Sequence, residues 1–100
     1  MLSDEAEVFY GGYVIYALVD PRNGAVRYIG LSINHRQRLA GHLGRPRNRR
    51  LSLWLHKLRA VEKKPRMAII GFAEDEEEAK EEEHRWIVLY RRSGADLVNA

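Results

Sequence analysis

Apolar positions along the chain follow two periods, and each period predicts its own kind of element. Tyr13 to Val19 reads YVIYALV and Ala25 to Leu31 reads AVRYIGL, two aromatic and β-branched runs suited to strands. Between them stands Asp20-Pro21-Arg22-Asn23-Gly24, where the proline fits an early turn position and the glycine supplies a positive φ. This pattern predicts an antiparallel β-hairpin. If Asp20 pairs with Gly24, Tyr16 and Tyr28 stand directly opposite each other with both hydroxyls on one face, and a slip by one residue separates them.

Beyond the hairpin the period becomes helical. Asn34 can cap a helix running to about Leu43, where Gly41, Gly44 and Pro46 end it. Asn48 or Arg49 opens a second helix to about Glu62, with Leu51, Trp54, Leu55 and Leu58 in an apolar stripe and the basic residues outside it. Arg66 to Ala73 (RMAIIGFA) is a third strand. Asp75 caps a long helix through about Arg92, its glutamates gathered in the first turns where the helix dipole favours them. Gly94 stops that helix, and the tail from Ala95 to Asn99 returns apolar residues to the core. The order ββααβα predicts an α+β fold, a small three-stranded antiparallel sheet flanked by helices. The reading is one domain over residues 1–100, with residues 1–10 a loosely ordered N-terminal extension.

Composition narrows the chemistry. The 100 residues leave room for one core, and 45% apolar with 31% charged residues is a globular balance. The absence of cysteine excludes disulfides, thiolate metal sites and cysteine nucleophiles. The acidic start MLSDEAEVFY is unlike a signal peptide, and no apolar run approaches the ~20 residues that cross a bilayer, so the expectation is a cytoplasmic protein with no membrane partner.

The net charge of +3 conceals a separation of signs. From Asn34 to Arg66 there are eleven basic residues and one acid, Glu62; from Glu74 to Glu83 there are eight acids and one base, Lys80. A polyanion would meet one side only. Within the basic tract arginine outnumbers lysine eight to three, which favours phosphate contact because guanidinium presents a planar fork of donors.

Several positions exceed what a fold requires. The inward stripe of the last helix includes Ala79, Glu83, Trp86, Ile87 and Tyr90, so Glu83 sits among apolar neighbours, where a carboxylate is costly without a cation or donors. It either faces a cleft or snorkels from the rim of the stripe. Arg38 and His42, four apart, form a cationic pair on one helix face, or are simply exposed. Tyr16 and Tyr28 can be plain cross-strand packing. Gly30, two residues beyond Tyr28, removes a side chain beside that pair and leaves a notch of the kind found where a ligand or another backbone comes close.

Taken together, these residues resemble the GIY-YIG nuclease family, over nearly the whole chain. Val14-Ile15-Tyr16 matches the first signature tripeptide and Tyr28-Ile29-Gly30 the second, with the expected hairpin between them. The family arginine falls eight residues beyond the signature glycine, at Arg38, and its histidine four later, at His42. Its metal-binding glutamate corresponds to Glu83, ahead of Trp86-Ile87, and its terminal asparagine to Asn99 after Leu97-Val98. Val14 stands where the family has its first signature glycine and removes no reactive group. The stretches WLHKLRAVEKKPRMAII and EEEHRWIVLYRRSGADLVN are similar to small stand-alone bacterial and phage members.

The resemblance implies a metal-dependent endonuclease acting on DNA, duplex or branched, with Tyr16, Tyr28, Arg38, His42 and Glu83 as catalytic residues. Glu83 would hold one Mg²⁺ or Mn²⁺ ion, Arg38 would fork onto the scissile phosphate, and Tyr16 would accept or relay the proton of the attacking water, with Tyr28 and His42 in the same network. Which group is the base stays open. Gly30 and Asn99, with Arg45, Arg47, Arg49, Arg50 and Lys57 of the basic tract, would contact substrate. Such contacts read phosphate rather than base identity, so specificity would come from DNA structure, a protein partner or a homodimer. Two rival readings are a catalytically idle nucleic-acid binding module and a protein-interaction domain using the acidic helix start.

Overall fold

The computed structural model describes residues 12–33 and 48–99. The expected first helix from Asn34 to Leu43, with Arg38 and His42, lies outside the described residues, as do Arg45, Arg47 and residues 1–10.

The chain folds as β1 (Tyr13–Val19), β2 (Val26–Ile33), α1 (Arg49–Ala60), β3 (Arg66–Ala73) and α2 (Glu76–Arg92). The strands form one antiparallel sheet in the order β2-β1-β3, with β1 in the middle, which is the α+β arrangement the pattern predicts. Strand β2 runs two residues beyond the expected end at Leu31, because Ser32 and Ile33 continue the ladder opposite Val14 and Tyr13.

The alternation along β1 divides the interior into two clusters. Val14, Tyr16 and Leu18 face α1 and pack with Leu51, Trp54, Leu58 and Val98. Ile15 and Ala17 face the other way and pack with Ile29, Ala79, Leu97 and the α2 residues Trp86, Ile87 and Tyr90. Both faces of a single small sheet are thereby covered, and β1 is buried on both sides.

The helix ends are set by side chains. Asn48 Oδ1 accepts the amides of Arg50 and Leu51, and Asp75 Oδ1 accepts that of Glu78, as N-caps do. Helix α1 stops at Ala60, two residues short of the expected Glu62, since Glu62 takes a positive φ of 60°. No helix among the described residues is long and apolar enough to cross a membrane.

Candidate active site

The hairpin decides where the phenols stand. Gly24, at φ 76°, closes the turn by donating its amide to the Asp20 carbonyl at 2.8 Å, while Asp20 itself donates to the Ala25 carbonyl at 2.8 Å. The turn therefore shifts the pairing by one residue from the expected Asp20–Gly24 match. A β-bulge between Leu18 and Val19 shifts it by one more, leaving Arg27 as the extra residue. Tyr16 consequently faces Gly30, and Tyr28 faces Leu18, which corrects the direct Tyr16–Tyr28 pairing expected from sequence. One slip alone would have sent Tyr28 through to the opposite face; two restore it.

The tyrosines meet diagonally, with ring centroids 6.2 Å apart and ring planes 40° from parallel. Gly30 makes this arrangement possible. A Cβ at that position would lie 2.5 Å from both Cζ and the hydroxyl of Tyr16 and 2.9 Å from Cε2 of Tyr28. The expected notch is real, and the Tyr16 ring lies across it. Its hydroxyl thus sits over the outer strand β2 rather than over the middle of the sheet. The Tyr16 side is almost fully buried, and burial first, then Tyr28, then the charge of Glu83 push its pKa well above the usual phenol range.

Glu83 occupies the inward stripe of α2, as the spacing predicts, and is half-buried. Burial raises its pKa, and the charge of Lys80 partly offsets that effect. It takes part in no hydrogen bond or ion pair with the described residues, whereas its neighbour Glu82 pairs with Arg85 at 2.7 Å. The body of α2 packs on the sheet face opposite to the one that carries Tyr16 and Tyr28. Even so, the Glu83 charge bears on the Tyr16 phenol. Of the five expected catalytic residues, then, Tyr16 and Tyr28 are in one group, Glu83 is within electrostatic reach of it, and Arg38 and His42 lie outside the described residues.

Asn99 has a definite and different placement from a free substrate contact. Its Oδ1 accepts the Ile29 amide at 2.9 Å, and its Nδ2 donates to the Ile29 carbonyl at 2.7 Å, so the side chain imitates a neighbouring strand. The Val98 amide donates to the Arg27 carbonyl at 2.6 Å, and Asn48 Nδ2 donates to the Val98 carbonyl at 2.6 Å. The tail clamps the backbone between Tyr28 and Gly30 and ties it to the start of α1.

Arg49, Arg50 and Lys57 are exposed on α1, with the Arg50 guanidinium 3.7 Å from Asp96. They lie on the helix that covers the tyrosine-bearing face, where a polyanion could reach them.

The sequence offered no chemistry for Asp20, yet it is the most completely satisfied carboxylate among the described residues. Buried to 1% exposure, it accepts the Arg22 amide at 2.9 Å, Arg22 Nε at 3.0 Å and the second Arg22 nitrogen at 2.9 Å, and Trp54 Nε1 donates to it at 3.1 Å. Those hydrogen bonds outweigh its burial and hold its pKa well below the usual carboxyl range. Its signal was an aspartate opening a turn with an arginine two residues on, and a tryptophan on the covering helix in need of an acceptor.

Among the described residues no three His, Cys, Asp or Glu side chains converge as a metal cluster. The family model for the GIY-YIG catalytic domain matches residues 12–96, and the chain belongs to that family, a family of endonucleases. Neither a curated protein nor a solved structure gives a significant match.

Proposed function

We propose that the protein is a divalent-metal-dependent endonuclease that hydrolyses DNA phosphodiester bonds beside Tyr16. The observation that carries the reading is a half-buried Glu83 carboxylate, without a hydrogen bond or ion pair to the described residues, whose charge acts on a buried phenol that lies across the signature glycine. A carboxylate with no ion pair to the described residues suits a hard ion such as Mg²⁺ or Mn²⁺. With no group of three His, Cys, Asp or Glu side chains placed to hold an ion among the described residues, water and phosphate oxygens would complete the ion's shell. When bound at Glu83, one such ion supplies positive charge to the phosphoryl oxygens and the departing 3′ oxygen.

The chain's own groups divide the remaining work. Arg38 forks onto the scissile phosphate and fixes its orientation. A water oxygen attacks phosphorus, the bond to the 3′ oxygen breaks, and the water's proton leaves through the tyrosine network. Tyr16 is held protonated by its burial, so it serves as a relay, donating its own proton onward as it receives one, with His42 as the final acceptor. Tyr28 fixes the Tyr16 ring, and Asn99 fixes the strand that carries Tyr28. The exposed Arg49, Arg50 and Lys57, with Arg45 and Arg47, bind phosphates without reading sequence, so affinity falls steeply with salt.

The test is nicking of supercoiled plasmid by purified protein with Mg²⁺, with Mn²⁺ and with chelator. Cleavage should require the divalent ion, and Glu83→Ala and Arg38→Ala should abolish it while melting as folded proteins. Full activity from either variant, or equal cleavage in chelator, contradicts the assignment. Salt-sensitive DNA binding without cleavage would favour the idle module.

A further inference from the structure

The ladder between β1 and β3 carries its own bulge, between Ile15 and Tyr16, where Ile70 is the extra residue. Its consequence is geometric. Ile69 stands opposite Tyr16 and Phe72 opposite Val14, so two side chains three apart in sequence share the face of Tyr16. Without the bulge one of them would turn to the α2 side, where Ile70 packs instead. The cluster beneath α1 takes in Met67 from the same strand but neither Ile69 nor Phe72. They are 40% and 66% exposed, and Phe72 is the most exposed large apolar side chain among the described residues.

By strand spacing, the Phe72 Cα lies about 8 Å from the Tyr16 Cα, one strand across and two residues along, while the Tyr16 hydroxyl reaches the other way, over β2. The surroundings on this face are basic. Helix α1 covers it with Arg49, Arg50 and Lys57 exposed. Glu74 follows two residues after Phe72, but the acids from Glu76 onward belong to α2, which lies on the opposite face.

We propose that Phe72, backed by Ile69, is a stacking platform for an unpaired nucleobase of the strand whose phosphodiester is held at Tyr16, on the same face and across β1 from it. The proposal rests on the reading of the Tyr16 face as the one that meets DNA, and it narrows the substrate to DNA that is single-stranded, frayed or branched at the cut. A base inside a duplex has both faces covered by its neighbours, whereas an unpaired base presents a π-face that a phenyl ring can cover. The strand's phosphates then run toward the cations of α1, and the uncharged base falls on the apolar pair.

The test is DNA binding in chelator, read by fluorescence anisotropy, with a single strand and with a blunt duplex of the same sequence. Phe72→Ala should weaken single-strand binding roughly 5- to 100-fold and duplex binding by no more than about twofold. Phe72→Leu, which keeps an apolar side chain without the ring, should behave as Phe72→Ala, and Phe72→Tyr as the parent. A 2-aminopurine in the strand should be quenched by the parent protein and not by Phe72→Ala. Unchanged single-strand affinity, or equal loss for both DNA forms, overturns the proposal. So does Phe72-dependent self-association with unchanged DNA affinity, which would assign the patch to a second copy of the chain. Because no cleavage is needed, a protein that stacks bases but never nicks plasmid refutes the nuclease reading alone, and one that nicks with Phe72-insensitive binding refutes only the platform.

Discussion

The hairpin turn and the middle of α2 each bring a carboxylate into the body of the protein and treat it in opposite ways. Asp20 receives donors on both oxygens, from Arg22 and Trp54, and its pKa is driven down. Glu83 receives no donor from the described residues, and its pKa is driven up. The first is a finished structural joint, binding the turn to α1. Among the described residues only the Lys80 charge offsets the desolvation cost of the second, so a cation brought to it would complete it. On the proposed reading the first is a joint and the second a site.

The contrast is sharpest when both carboxylates are replaced. Glu83→Gln should lower cleavage by about 10²- to 10³-fold or more while leaving the melting temperature unchanged or slightly higher, since a desolvated charge is removed. Asp20→Ala should do the reverse. It leaves the Trp54 indole donor buried without a partner, at a cost of about 1–3 kcal/mol, and lowers the melting temperature by roughly 10 °C with activity per folded molecule retained. Calorimetry and nicking rates on the same preparations decide both. If the two variants show the same balance of effects, the distinction between joint and site is wrong.

Gly30→Ala tests whether the phenols depend on the notch. Its Cβ must displace buried rings of Tyr16 and Tyr28, an overpacking cost of about 1–3 kcal/mol, so both stability and cleavage should fall.

A gentler test uses pH. The Asp20 pKa is depressed on folding, so its contribution is fully present above the unfolded carboxyl pKa, near 4, and is lost as pH falls toward the lower folded value. Stability should decline below about pH 4, and Asp20→Asn should flatten part of that decline. The smallest expected effect is on binding: Lys57→Ala should reduce the slope of log affinity against log salt by about 0.9, with no change in sequence preference.

Much of this contrast is legible in the sequence. The 3.6 period placed Glu83 on the inward stripe of α2, and turn chemistry placed the hairpin, because both signals are local. The register was not legible, since it depends on how the Asp20 turn closes and on a bulge at Leu18 and Val19, and each offset changes the pairing while their sum preserves the face. Asp20 was read as a turn residue because its decisive partner, Trp54, is 34 positions away. The Asn99 role was missed for the same reason, its two bonds to Ile29 spanning 70 positions. The Ile70 bulge that exposes Phe72 on the tyrosine face leaves no mark in the alternation of RMAIIGFA.

The central claim is that the Glu83 carboxylate is completed by a divalent ion beside Tyr16. The most direct measurement is anomalous diffraction from crystals soaked in Mn²⁺. The account predicts one strong peak about 2 Å from a Glu83 carboxylate oxygen, absent in Glu83→Gln crystals. A peak only among the exposed glutamates that open α2, or the same peak after Glu83→Gln, would contradict it.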